Sequence, residues 1–399
     1  MAKTEKKARI GVIGCGRIAR RGHLPYLKKN PAAELVAAVD VNPNHSRAVC
    51  KMFGIPQAYS SPEEMFEKTE LDGVLICTPN WVHKELTLMA AAHGVHVFCE
   101  KPMAVNAAEC EAMIAACDRA CVHLQIGMCK RFDAGIVKAR KMILSGILGT
   151  VSQITTSCLC PPAPRIDTAW FELCKRWGKR MGINVEEKMG LWCMTDPRTG
   201  GGMLHEMGTH LLDFILFLAG EEPADWCGFF NKKRTDLLWE DQGTLLVKFP
   251  SGIIASVELN MGATANNLIG ENGCIYGDKA SLAFTHINGM WYRLPAYNLI
   301  HTILVLYGPL SPITGIGIPL PVKIGKKVFM YKLQMDYFVD KILGRDTDYF
   351  GLGHDFAATG RDGLNAMRVI GSAYAREKSP ASKRKTPPKP KRRPGRSAR

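Results

Sequence analysis

Short apolar runs alternate with stretches of helical period over the first 127 residues. Residues 9–13, 35–39, 73–77, 95–99 and 122–126 are dense in Val, Ile, Leu, Ala or Cys, which reads as strands buried on both faces. Between them, a run continuing to about Leu27 and the segments 44–53, 62–68, 81–93 and 106–120 carry the i, i+3, i+4 spacing of helices, with a start signal at Ser60-Ser61-Pro62. Strand and helix in regular alternation predict an α/β domain with a parallel sheet. The pattern changes near 125–129. A helix over 134–145 and a strand over 151–157 follow, then an apolar helix over 211–218. Alternating or β-branched runs at 226–230, 243–249, 253–260 and 273–276 predict a large open mixed sheet, and helices over 332–343 and 360–376 close the fold. The predicted organisation is a nucleotide-binding-type domain over 1–127, a second α/β domain over 128–378 that carries substrate and subunit contacts, and a tail over 379–399.

The turn after the first strand reads Gly14-Cys15-Gly16-Arg17-Ile18-Ala19, a G-x-G-x-x-A in the strand–turn–helix setting that dinucleotide binding requires. Gly14 permits the tight turn, Gly16 lets a pyrophosphate approach the backbone, and Ala19 allows close helix–strand packing. The N–H groups of the helix start, with Arg17 and Ile18, face the phosphates. The second strand ends in Asp40, 26 residues after Gly14, where a carboxylate can accept from a ribose 2′-OH and repels a 2′-phosphate. NAD is therefore expected rather than NADP, in a Rossmann domain; the plain alternative is that Asp40 caps the next helix. The strand over 95–99 runs into Glu100-Lys101-Pro102, and proline stops its pattern. Glu100 and Lys101 thus sit at a strand's carboxyl end, where open α/β sheets bind ligands.

Three stretches in this order, GVIGCGRIA, DGVLICTPNWVH and GVHVFCEKP, resemble the Gfo/Idh/MocA family of nicotinamide-dependent oxidoreductases. The likeness resumes at 130–151 and 200–212, fades over 157–199, and returns at 271–282 and 333–379. The resemblance implies a Rossmann domain followed by a larger domain with an open sheet, acting on secondary alcohols of sugars, polyols or related compounds. It implies that Lys101 is the active-site lysine and that Thr78, Pro79, Asn80 and His83 line the cofactor. It also implies an acid and a histidine four residues apart after a glycine-rich turn. Here these are Glu206 and His210 in Gly200–His210, with Glu206 standing where the family has aspartate. On a helix such a pair shares a face, whereas His205 points some 140° away from His210. That spacing also argues against H-E-x-x-H zinc chemistry, and no metal is expected. The expected roles are His210 as general base, Lys101 as hydrogen-bond donor to the same oxygen, and Glu206 as the residue that orients or tunes them. Family members that cleave glycosides through transient oxidation, and non-catalytic dinucleotide-binding regulators, are the alternatives.

Composition adjusts this picture at three places. The 14 cysteines are scattered within predicted helices and strands, which suits a reducing cytoplasm, and the charged start carries no apolar export signal. The net charge of +15 is uneven: residues 379–399 hold nine Lys or Arg and no acid, which leaves +6 elsewhere. With five prolines and no large apolar residue, the tail cannot order itself; it could bind nucleic acid or another anionic surface, but a solvated appendage is the simpler reading. Two stretches read as insertions. Residues 161–198, with Trp170, Trp177 and Trp192 and a basic cluster, could cover the substrate pocket or form a contact of a homo-oligomer, a dimer or tetramer. Residues 296–322 are apolar but broken by proline and glycine, too short for a membrane span, and could pack on a partner subunit.

Overall fold

The computed structural model describes residues 6–160, 168–181, 192–262, 270–287, 301–307, 318–320, 330–353 and 356–378. In the first domain, β1 (Ala8–Ile13), β2 (Ala33–Val39), β3 (Gln57–Tyr59), β4 (Gly73–Ile76), β5 (His96–Cys99) and β6 (Leu124–Ile126) pair in parallel, in the order β3-β2-β1-β4-β5-β6. The central strands β1, β4 and β5 are almost wholly buried, which is why they read as continuous apolar runs. β3 left no such signature, because it has three residues and is mostly exposed. The strand order reverses between β1 and β4, so a crevice opens at the carboxyl ends of these strands.

The second sheet has eight strands. β7 (Val151–Cys160), β8 (Asp225–Asn231), β9 (Gln242–Lys248), β10 (Ile254–Met261), β11 (Gly270–Gly277), β12 (Ser281–Ile287), β13 (His301–Tyr307) and β14 (Ile318–Leu320) lie in the order β14-β13-β12-β11-β7-β10-β9-β8. β7 and β10 are parallel and the other neighbours antiparallel. One face buries Ile154, Leu245, Val257, Leu259 and Ile275 against Leu211, Leu212 and Ile215 of helix Thr209–Ala219. By register, the other face presents Phe229, Leu246, Ile254 and Tyr276, all exposed.

Two expectations change here. β12 is a separate strand paired with β11, beyond the runs the sequence pattern predicts. The stretch 296–322 is not a bare insertion, since it contributes β13 and β14 to the sheet. Its prolines and glycines mask the period of 2, and edge strands tolerate proline because one side of the ladder is free. Residues 161–167, 182–191 and the tail over 379–399, on which other expectations fall, lie outside the described residues.

The two domains share packing. Helix Met330–Ile342 returns to the first domain, where Met335, Phe338 and Val339 join Leu24, Leu27 and Phe98. Gly73 makes room for it: a Cβ there would come 2.6 Å from Ile342 Cδ1. Residues 357–359 run beside β6, with the Ile126 N–H donating to Ala358 O at 2.8 Å. Arg131, buried at the domain junction, donates to Asp213 at 2.6 Å and to Asp362 at 2.8 Å, joining helix Thr209–Ala219 to helix Gly360–Lys378.

Candidate active site

The glycine turn leaves β1 at Ile13. Gly14 has φ +92°, and a Cβ there would stand 2.5 Å from Cys77 O, so the turn packs directly on the end of β4. Gly16 has no atom within 4 Å of where its Cβ would be, which leaves open space in front of the backbone. Residues 17–27 are helical, with a wider π-turn at Ala19–His23. Arg17 is exposed and Ile18 half-buried at its start. Asp40 closes the turn from β2: its Oδ2 accepts from the Cys15 N–H at 2.8 Å and its Oδ1 from the Asn42 N–H at 2.9 Å. Asn42, not Asp40, caps helix Pro43–Phe53, its side chain accepting from Asn44 N. A glycine pair with one position packed and one open, and a carboxylate held beside it, fits a dinucleotide laid across the turn.

The loop after β4 is braced rather than open. His83 is fully buried, with Nδ1 3.0 Å from Pro102 O and Nε2 2.8 Å from Thr78 O. Burial outweighs these carbonyl oxygens and holds the ring below the usual histidine range. His83 therefore ties the Thr78–Pro79 turn, which is half-buried, to the turn that follows Lys101. Asn80 is also buried and donates to Thr199 O at 2.8 Å. Next to it, Trp81 stacks edge-on against Trp192 and carries Arg198 4.2 Å above its ring. The end of the 161–198 stretch thus leans on the loop after β4.

Lys101 follows β5 through a buried glutamate. Glu100 Oε1 lies 2.6 Å from His23 Nε2, and Glu100 Oε2 accepts from the Lys101 N–H at 3.1 Å. Burial alone would raise the Glu100 carboxyl, but the His23 contact and the charge of Lys101 bring it below its ordinary value. The Lys101 ammonium reaches across to the second domain, 2.5 Å from Glu206 Oε1 and 3.2 Å from Glu206 O. Burial would depress it; the Glu206 carboxylate more than offsets this and holds it above the usual lysine range. At neutral pH Lys101 is therefore a charged donor rather than a base.

Glu206 and His210 stand on one helical run over residues 203–219, with a π-turn at Leu204–Gly208. Widened turns of this kind occur often at functional sites. The run begins on Glu240, which accepts from the N–H groups of Gly202 and Leu204 at 3.2 and 3.0 Å and is held by Tyr374 at 2.5 Å. His205 is buried, 3.2 Å from Ala104 O through Nε2, and burial keeps it below the usual range. This contact turns it toward the Lys101 turn, and His210 is half-buried. Cys193 feels both Lys101 and Glu206, and its thiol is pushed up by burial first.

The structure thus joins Lys101 to Glu206, Glu100 to Lys101, and Asp40 to the glycine turn. Sequence reading missed His23, Glu240, Cys193 and the Asn80–Thr199 link. None belongs to a spacing pattern: His23 meets Glu100 77 residues away, Asn80 meets Thr199 119 away, and Glu240 meets Leu204 and Tyr374 36 and 134 away. Among the described residues, no group of three or more His, Cys, Asp or Glu could hold a metal, and no helix is long and apolar enough to cross a membrane.

Residues 8–128 match the model of an oxidoreductase family with an NAD-binding Rossmann fold, and residues 136–283 match the C-terminal domain of the same family. The chain is 27% identical to a myo-inositol 2-dehydrogenase of Thermotoga maritima, over 68% of this chain and 75% of that protein. It is 27% identical to a D-glucoside 3-dehydrogenase of Escherichia coli, over 55% of this chain and 56% of that one. Among solved structures, an aldose-aldose oxidoreductase from Caulobacter crescentus, complexed with glycerol, superposes with a TM-score of 0.72 at 25% identity, covering 93% of this chain and 97% of that one. With both domain models matched in order, and NAD the cofactor for which its first domain is built, this chain belongs to the Gfo/Idh/MocA family of oxidoreductases.

Proposed function

We propose that the protein is an NAD-dependent dehydrogenase that oxidises a secondary alcohol of a cyclic polyol or sugar. The observation that carries this reading is the 2.5 Å contact between Lys101 of the first domain and Glu206 of the second, at the carboxyl edge of β5. Bound NAD supplies the hydride acceptor. Gly14, Gly16, Arg17 and Ile18 hold the phosphates, Asp40 takes the ribose hydroxyls, and Thr78, Pro79 and Asn80 line the nicotinamide side. Lys101, kept charged by Glu206, donates a hydrogen bond to the substrate hydroxyl oxygen and stabilises its developing negative charge. His210 accepts the hydroxyl proton as general base. Glu206 holds the ammonium in place while the alcohol is bound. His83 and Glu100 act through others: they fix the turns that carry Thr78 and Lys101. The dehydrogenases of inositol and glucoside among the relatives support an alcohol on a six-membered ring. The exposed apolar side chains on the free face of the second sheet support a homo-oligomer.

The experiment is a panel of inositols, sugars, glycosides and linear polyols with NAD, followed at the NADH absorbance band. A ring polyol or sugar should give NADH. Conversion of a glycoside without net NADH would replace this reading with transient oxidation, and turnover with no member of the panel would leave a binding role.

A further inference from the structure

Helix Ala169–Arg180 takes no part in the site described above. It is seated through Phe171, 2% exposed, while Trp170, Leu173, Trp177 and Met181 are 70, 43, 57 and 64% exposed. At 100° per residue these four fall within an arc of about 80°, a continuous apolar stripe turned aside from the Phe171 contact. Arg176 and Arg180, both exposed, border the stripe on the edge away from Phe171. Lys175 is committed, 2.6 Å from Glu172 and over the Phe171 ring.

Two tryptophans set more than half into water are costly, and a contiguous stripe of this kind marks an interaction surface. Charge decides what it meets. The helix carries Lys175, Arg176, Lys179 and Arg180 against Glu172, and of the chain's net charge of +15 nine come from residues 379–399, which hold no acid. A second copy seated on this same face would set Arg176 and Arg180 against like charges, whereas an anionic surface is attracted to them. Tryptophan and leucine on one face, bordered by arginine, is the composition of a helix that lies in a bilayer interface. A basic segment elsewhere in the chain supplies the second signal that lasting membrane attachment needs.

We propose that helix Ala169–Arg180 docks this protein on anionic phospholipid bilayers. Trp170, Leu173, Trp177 and Met181 enter the boundary between headgroups and acyl chains, and Arg176, Arg180 and the tail's cations hold the headgroups. The test is co-sedimentation of the full chain with phosphatidylcholine vesicles made with and without phosphatidylglycerol, at low and high salt. Binding should require phosphatidylglycerol and weaken with salt. Trp170→Ser/Trp177→Ser should lower partitioning at least ~10-fold, with an unchanged melting temperature because both side chains are exposed. Arg176→Glu/Arg180→Glu should lower it similarly. Truncation after Lys378 should weaken binding but leave it dependent on the two tryptophans. Failure of the full chain to bind phosphatidylglycerol vesicles overturns the proposal, as does binding indifferent to the tryptophans. Self-association that vanishes with the tryptophans, in a chain that ignores vesicles, assigns the stripe to a second copy instead.

Discussion

Glu206 meets Lys101 from a position where the family pattern leads one to expect aspartate, and this sets the first predictions. Lys101→Met and His210→Ala should each lower turnover by ~10²–10⁴-fold, with NAD affinity, read from tryptophan fluorescence, little changed. Near-normal turnover in His210→Ala would move the base elsewhere. Glu206→Gln keeps the reach but removes the charge that opposes the burial of Lys101. The ammonium should then lose its proton at lower pH, and the alkaline limb of the pH–rate profile should move down. Glu206→Asp keeps the charge and should be milder; an unmoved limb in the Gln variant would show that Glu206 does not set the protonation of Lys101. His83 and His205 give a stability signature. Burial holds both below their ordinary value. Unfolded, they take a proton near pH ~6.5, and folded only below it. Their contribution is thus complete above that pH and is lost as pH falls through the interval beneath it. The melting temperature should fall as the pH is lowered from ~7.5 to ~5, and His205→Leu should flatten that fall.

At the scale of elements, the glycine turn separates folding from binding. Ala at Gly14 would meet Cys77 O in a left-handed backbone, so Gly14→Ala should lower the melting temperature and NAD affinity together. Ala at Gly16 would meet nothing in the free protein. Gly16→Ala should therefore melt normally yet bind NAD more weakly, by isothermal titration. Equal effects in both readouts would mean that Gly16 has a packing role. Asp40→Ala should weaken NAD more than NADP; tighter binding of NADP by the unchanged protein would remove Asp40 from the ribose. These elements were legible because β1, β4 and β5 are buried on both faces and the turn joining strand to helix has a fixed chemistry. β3, β12, β13 and β14 were not, since short, exposed or proline-broken strands are made by their neighbours.

Across the whole molecule, Arg131 joins the domain junction to two helices through Asp213 and Asp362. Arg131→Met would leave the buried Asp213 without this partner, and should cost about 3–5 kcal/mol in urea denaturation. A smaller loss would mean that the acids find other donors or take up protons. Truncation after Lys378 should leave turnover on soluble substrates and the melting temperature nearly unchanged; a large drop in either would show that the tail docks on the body.

What the sequence determined by itself is whatever depends on neighbours along the chain. Strand and helix periods, the G-x-G-x-x-A turn, Asp40 at the end of its strand, and the Lys101 and Glu206–His210 segments follow from local sterics, hydrogen bonding and apolar spacing. The family pattern added which of these belong together. Only the tertiary structure decided which charges meet. Lys101 and Glu206 are 105 residues apart and His23 and Glu100 are 77, and no local rule links them. The folded chain brings them within hydrogen-bond distance because helix Met330–Ile342 and the buried Arg131 cluster hold the two sheets together, and burial then sets which groups carry a proton. The apolar stripe on helix Ala169–Arg180 was equally out of reach. Its spacing was in the sequence, but whether it faces core or solvent is decided by the body on which Phe171 rests.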